Sequence, residues 1–138
     1  MNNKEFKFLL FSADGKRYES NISILNVHSN NGSFGIMKNH LPFVSFIDTC
    51  YFSIDENDVR KYFAVSEGIL RVDKNKVVII GGTFEPEEEL DRERILKKKE
   101  IALRRIVEAG SKEFELKRAE LSLKKALNRL SLLDRDIH

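Results

Sequence analysis

The sequence predicts an α+β protein in which an N-terminal antiparallel β-sandwich, residues 1–85, precedes a C-terminal antiparallel two-helix hairpin, residues 86–138. Two contrasts support this division. Twelve of the thirteen Phe and Tyr residues precede residue 86, whereas residues 86–138 carry 14 basic and 12 acidic side chains. Hydrophobic periodicity also changes there, from short apolar runs to a helical repeat. A proline before an acidic run, Pro86-Glu-Glu-Glu89, marks the predicted boundary.

Short runs of β-forming residues, separated by polar turns, predict the strands of the first domain. The predicted strands are residues 6–11, 22–27, 43–47, 50–54, 59–65, 69–72 and 76–80. The turn signals include Ala13-Asp-Gly15 and Asp73-Lys-Asn75, and Gly81-Gly82 is expected to end the last strand. Strands this short and evenly spaced, with no helical period between them, favour an antiparallel sandwich or barrel.

The second domain is predicted to be two helices joined by a tight turn. The first spans residues 90–107 and ends near Gly110, and Ser111 is expected to cap the second. The first helix has apolar positions at Leu90, Ile95, Ala102 and Ile106. The second has an apolar seam at Leu116, Ala119, Leu123, Ala126, Leu130, Leu133 and Ile137. A connection this short requires the two helices to run antiparallel. Because the seam offers little apolar surface, we expect the closed hairpin to be only marginally stable.

Composition argues against several classes of protein. The net charge of +2, with no basic stripe interleaved with aromatic residues, argues against a nucleic-acid-binding protein. Cys50 is the single cysteine, so no internal disulfide forms. No apolar run is long enough to span a membrane, and the N-terminus has no signal-peptide character.

No catalytic residue or metal site is predicted. The three histidines, His28, His40 and His138, do not have metal-ligand spacing, and no glycine-rich phosphate loop or nucleophile motif occurs. The acidic run Glu87-Glu-Glu89 is interpreted as a solvated linker. These observations favour an interaction module over an enzyme.

Three segments, in order along the chain, resemble the epsilon subunit of bacterial F-type ATP synthases. They are Gly32-Ser-Phe-Gly-Ile36 with His40-Leu-Pro42, Ala64-Val-Ser-Glu-Gly-Ile-Leu-Arg-Val72, and Lys117-Arg-Ala-Glu-Leu-Ser-Leu-Lys-Lys-Ala-Leu-Asn-Arg-Leu130. The resemblance implies a non-catalytic subunit of the central rotor stalk, whose sandwich binds the gamma subunit and the c-ring. It also implies a location on the cytoplasmic face of the bacterial cell membrane, through the complex alone.

The resemblance further implies that the hairpin either folds against the sandwich or extends beside gamma. When extended, its last helix would inhibit ATP hydrolysis by contacting acidic segments of the catalytic β subunits. The cations expected to make this contact are Lys117, Arg118, Lys124, Lys125 and Arg129. Without the resemblance, the same cations are expected to form a solvated face.

Many members of this family bind ATP as a regulatory ligand in the folded hairpin, although no cofactor is required. Leu90, Asp91 and Arg94 match the family's nucleotide motif. Glu85, Lys125 and Arg129 lie at further contact positions.

Several positions depart from the family pattern. Ile95 replaces a small alanine, and Ile101 and Lys125 each replace an arginine, so we expect weaker ATP binding. Lys38-Asn39 stands where the family usually has proline and glycine, so the loop before His40 should be less rigid. Glu67 replaces one glycine of the family's paired-glycine turn, which changes the expected geometry of that turn. The alternative hypotheses are a stand-alone ATP-sensing module and a helical-hairpin adaptor, both without a rotor role.

Overall fold

The computed structural model describes residues 4–135, so the predictions for Ile137 and His138 lie outside the described residues. The chain passes from one compact unit to a second between Glu87 and Glu88. The first unit is a β-sandwich and the second is a pair of α-helices, which confirms the predicted fold class.

The sandwich contains ten strands in two five-stranded sheets. The strands are β1 Phe6–Ser12, β2 Arg17–Ile22, β3 Ile24–Ser29, β4 Gly32–Met37, β5 Phe43–Ile47, β6 Cys50–Glu56, β7 Val59–Val65, β8 Gly68–Asp73, β9 Lys76–Gly81 and β10 Phe84–Pro86. The first sheet has the order β2-β1-β9-β8-β5, and the second has the order β10-β7-β6-β3-β4. Strands β1 and β9 pair in parallel, whereas every other pair among the described strands is antiparallel.

Two expectations about the strands are wrong. The predicted strand over residues 22–27 is the junction of two strands, β2 and β3, which are separated at Ser23. Strand β4 begins within Ser29-Asn-Asn-Gly-Ser33, which the sequence predicts to be a turn, and β10 follows Gly81-Gly82, so neither strand was predicted. Both β2 and β4 are edge strands. Strand β2 has few apolar residues, and the apolar residues of β4 are interrupted by Gly35, so neither has the continuous apolar run on which the prediction depended.

The core of the sandwich lies between the two sheets. In β1, the alternate residues Phe6, Phe8 and Leu10 point inward and are buried. Phe52 and Phe63 stack with their ring centroids 5.3 Å apart, and Phe8 meets Phe52 edge-on at 5.7 Å. The sandwich therefore has an aromatic core made of its own residues.

A polar cluster joins the two sheets at the edge formed by β2. The Glu56 carboxylate accepts hydrogen bonds from Lys61 Nζ at 2.6 Å, from Tyr18 Oη at 2.8 Å and from Ser20 Oγ. The Lys61 ammonium and the two hydroxyl donors hold the pKa of Glu56 below its ordinary value, against the opposing effect of burial. This carboxylate therefore ties edge strand β2 to the β6–β7 hairpin.

The second unit consists of α1, Arg92–Ala109, and α2, Glu113–Leu133, preceded by a 3-10 turn over Glu87–Glu89. The first helix begins two residues later than predicted, because Asp91 is its N-cap and accepts hydrogen bonds from the backbone amides of Glu93 and Arg94. Gly110 has φ +54°, a conformation that favours glycine at the end of a helix.

The prediction that Ser111 caps α2 is wrong, since Lys112 occupies the N-cap position without a side-chain hydrogen bond. The reason is a tight turn in which the Lys112 amide donates to the Ala109 carbonyl at 2.8 Å. That turn holds Ser111 one position before the N-cap residue.

The helices of the hairpin pack through small side chains. Buried positions in α1 recur at seven-residue intervals, at Ile95, Ala102 and Ala109, and the buried alanines of α2 are Ala119 and Ala126. The predicted leucines of the seam are half-buried: Leu116, Leu123, Leu130 and Leu133. Leu132 is fully buried although it lies outside the predicted seam. Small residues at the contact allow a close approach of the two helices.

Candidate functional site

The ends of the two helices meet in an antiparallel arrangement. Arg92, the first residue of α1, contacts Asp134, the residue that ends α2, with a distance of 2.5 Å between Nη2 and Oδ1. Each residue turns a helix by about 100°, so a residue directly before a buried position points to one side of the seam. In an antiparallel pair, these positions lie on the same side of both helices.

All three candidate ATP-binding cations lie on this side of the hairpin. Arg94 directly precedes Ile95, and Lys125 directly precedes Ala126, while Arg129 follows Lys125 by one helical turn. We call this surface the basic side, and it consists of Arg94, Lys98, Arg105, Arg118, Lys125 and Arg129. Glu108 and Glu115 are the acidic residues there, both close to the turn between the helices. The basic side is therefore suited to binding an anion.

The remaining candidate ATP contacts lie around the start of α1 or in the other unit. Asp91 uses Oδ1 to cap the helix, with distances of 3.1 Å to the Glu93 amide and 3.4 Å to the Arg94 amide. Leu90 is half-buried just before it. Glu85 belongs to the sandwich, where it pairs with Ala64 in the β10–β7 ladder. Ile101 directly precedes Ala102, so an apolar side chain interrupts the basic side.

The five cations expected to contact the β subunits divide into two groups. Arg118, Lys125 and Arg129 lie on the basic side, where Arg118 sits over the Phe114 ring at 5.9 Å. Lys117 and Lys124 lie about 100° further around α2. There they alternate with acidic residues, and Lys117 pairs with Glu113 at 3.6 Å. The first group forms a cationic stripe, whereas the second belongs to a surface of mixed charge.

The outer face of the first sheet is apolar, which the sequence analysis did not predict. Cross-strand pairing places side chains from four neighbouring strands in one row, with a shorter row beside it. The first row is Phe46, Ile69, Ile80 and Phe11, and the second contains Val44, Val78 and Leu9, with Arg71 between Val44 and Val78. Phe46 is 87% exposed and Val44 is 68% exposed.

This apolar surface, the outer face, continues into an open cavity of about 530 Å³ near β5. The signal in the sequence is that both alternating sets of residues are apolar in β1 and β9, as in Phe8-Leu-Leu-Phe11 and Val77-Val-Ile-Ile80. A sheet that is apolar on both faces needs a partner for its outer face.

Residues 4–135 show neither of two other kinds of feature. None of the helices described is long and apolar enough to cross a membrane. The described His, Cys, Asp and Glu side chains do not cluster in a way that could hold a metal ion.

Comparison with known proteins assigns both units to one family. Residues 5–87 match the ATP synthase delta/epsilon chain β-sandwich domain, and residues 88–134 match the long α-helix domain of the same chain. The chain is 32% identical to the ATP synthase epsilon chain of Bacillus licheniformis, with 94% of this chain and 98% of the relative covered. It is 34% identical to the epsilon chain of an Exiguobacterium species, with 88% and 90% covered.

A solved structure supports the same fold. A chain in the cryo-EM structure of the Euglena gracilis mitochondrial ATP synthase superposes with a TM-score of 0.78 at 18% identity, covering 94% of this chain and 81% of that chain. The family matches cover both units, and the relatives match over nearly their whole length. The chain therefore belongs to the ATP synthase delta/epsilon chain family, and the two relatives described above are bacterial epsilon chains.

Proposed function

We propose that this chain is the non-catalytic epsilon subunit of the central stalk of a bacterial F-type ATP synthase. In that role it couples the catalytic head to the c-ring and restrains ATP hydrolysis. The observation that carries the proposal is the apolar outer face on a folded sandwich of a chain in this family. A surface of this kind is suited to a permanent subunit contact.

The outer face is the proposed docking surface for the gamma subunit. Phe46 and Val44 project from edge strand β5, and at the opposite margin Arg17 and Glu19 of β2 pair with Phe11 and Leu9. Arg71 lies within the second row, between Val44 and Val78. An apolar centre with a charged rim is the usual composition of a stable protein interface. The complex, through its c-ring, would hold the subunit at the cytoplasmic face of the cell membrane.

The basic side of the hairpin is the proposed inhibitory surface. Arg118, Lys125 and Arg129 would meet carboxylates of the catalytic β subunits when α2 leaves α1 and extends beside gamma. Lys117 and Lys124 contribute less, since their surface already contains acidic side chains of α2. Charge complementarity of this kind favours one partner and one orientation.

ATP would act partly on the same surface, through Arg94, Lys125 and Arg129, as a regulatory ligand rather than a required cofactor. Its proposed contacts are Glu85, Leu90, Asp91, Arg94, Lys125 and Arg129. Lys125 and Arg129 belong both to this set and to the inhibitory set, so nucleotide and β-subunit carboxylates would compete for the same cations. A ligand that favours the closed hairpin shifts its population only by its difference in affinity for the two states. Ile101 removes a cation from this surface, and binding is expected to be weak.

Co-purification tests the rotor role. A tagged full-length chain, expressed in its native cells and extracted with the membrane, is expected to bring down the gamma and β subunits. A stand-alone ATP sensor or an unrelated adaptor would bring down neither. Recovery of the tagged chain without either subunit would contradict the proposal.

A further inference from the structure

The contact between Arg92 and Asp134 joins the two helices at the open end of the hairpin. These residues are 42 positions apart in sequence, and Arg92 Nη2 lies 2.5 Å from Asp134 Oδ1. Their side chains are 48% and 60% exposed, so the contact lies at the surface. It depends on the closed hairpin, because α1 and α2 placed end to end would separate these residues by roughly 60 Å.

Both charges lie at the unfavourable ends of their helices. Arg92 is in the first turn of α1, where the partial positive charge of the helix dipole repels a cation. Asp134 caps the last turn of α2, where the partial negative charge repels an anion. Neither residue therefore stabilises its own helix through its charge. Each charge becomes favourable when the other helix end is beside it.

We propose that Arg92 and Asp134 form an electrostatic latch that stabilises the closed state of the hairpin and is lost when α2 leaves α1. This inference rests on the proposed switching of the hairpin. The latch opposes the inhibitory, extended state in the same direction as bound ATP, but it requires no ligand. Its strength falls as salt concentration rises, since both side chains are exposed.

Another ion pair of the hairpin provides a control. Lys117 and Glu113 are four residues apart within α2, so their contact persists whether or not α2 lies against α1. Removing that pair changes a surface charge contact without changing the balance between closed and open states. Glu113→Gln is therefore the matched control variant.

The test measures the open fraction directly in the full chain, reconstituted into its F1 complex. Spin labels are placed at the exposed positions Lys97 and Ser131, one on each helix. Cys50 stays in place because burial raises the pKa of its thiol to about 12, which leaves it unreactive toward the label. Distances are compared for the parent chain, Arg92→Gln, Asp134→Asn, the double variant and Glu113→Gln.

Each latch variant is expected to raise the ratio of open to closed hairpins about two- to fivefold at low salt. The double variant is expected to match the single variants, because one contact is lost in all three. Helix content measured by circular dichroism should stay constant or increase, since each variant removes a charge from an unfavourable helix end. Equal ratios in the parent and the variants, or additive effects in the double variant, would overturn the latch.

Failure of the latch is distinguishable from failure of the proposed function. If the latch variants leave the distances unchanged while removal of the hairpin still accelerates hydrolysis, the inhibitory role stands and the latch does not. If removal of the hairpin has no effect on hydrolysis, the inhibitory role falls whatever the distances show.

Discussion

Arg118 and Lys125 lie seven residues apart on α2, and each directly precedes a buried alanine, Ala119 or Ala126. Both side chains therefore leave the helix on the same side. Lys117 and Lys124 have the same spacing but lie about 100° away, among acidic residues. The position of a cation relative to the seam, more than the number of cations, decides which of them form the basic side.

Neutralising the basic side should release hydrolysis. Assembled complexes carrying the double variant Arg118→Gln/Lys125→Gln are expected to hydrolyse ATP roughly five times faster than complexes carrying Lys117→Gln/Lys124→Gln. Both variants remove two cations from α2 and leave the seam intact. Equal hydrolysis rates for the two variants would contradict the assignment of the inhibitory contact to the basic side.

Restoring the missing cation should strengthen ATP binding. Ile101 is 40% exposed between Arg94 and the far end of the basic side, so Ile101→Arg adds a donor there without burying it. Affinity for ATP, measured by calorimetry, is expected to rise about tenfold, the effect of one charge-assisted hydrogen bond. Leu103→Arg is the matched control, because Leu103 is 45% exposed and directly follows Ala102 on the opposite side. A similar gain from both variants would show that added charge alone is responsible.

A charge in the outer face should detach the chain from gamma. Phe46→Asp is expected to reduce gamma recovery in co-purification at least tenfold, because an ionised carboxylate would be buried in the interface. Val59→Asp provides the control, since Val59 is also exposed but lies in the second sheet. The assignment of the docking surface would be refuted by full recovery of gamma with Phe46→Asp.

The cluster around Glu56 should make the sandwich sensitive to acid. Lys61 and its neighbours lower the pKa of Glu56 from an unfolded value of about 4.5, so the ionised form is favoured in the folded state. This contribution to the free energy of unfolding is fully present above the unfolded pKa. It is lost as pH falls below that value and through the lowered folded pKa.

Urea unfolding as a function of pH measures this contribution. Glu56→Gln should be less stable than the parent near pH 7 and should lose less stability on acidification. Asp58→Asn serves as the control, since Asp58 is an exposed residue in the adjacent turn. Parallel pH profiles for the parent and Glu56→Gln would contradict the role assigned to the cluster.

The sequence predicts those parts of the fold in which the residue pattern is compatible with only one structure. The seam on α2 and the short connection at Gly110 were sufficient for an antiparallel hairpin, because a single apolar face has to be covered. The edge strands β2 and β4 were not predicted because neither contains a continuous apolar run, and backbone pairing with β1 and β3 helps to stabilise them. Ser111 was misplaced because the turn before α2 is set by backbone hydrogen bonds.

The candidate site was predicted as a set of residues but without its arrangement. The resemblance supplied Arg94, Lys125 and Arg129, and the helix positions place them on one side. The outer face was not predicted, because apolar residues in both alternating sets of β1, such as Leu10 and Phe11, do not show which set points outward. That distinction depends on cross-strand neighbours, which only the fold brings together.

The most direct test of the central claim is the rate of ATP hydrolysis by the complex with and without the hairpin. The sandwich has its own buried core, so a chain ending at Glu87 retains the proposed docking surface. Complexes reconstituted with this shortened chain should contain gamma and β in normal amounts and hydrolyse ATP several-fold faster than complexes with the full chain. An unchanged rate in fully assembled complexes would contradict the inhibitory role of the hairpin.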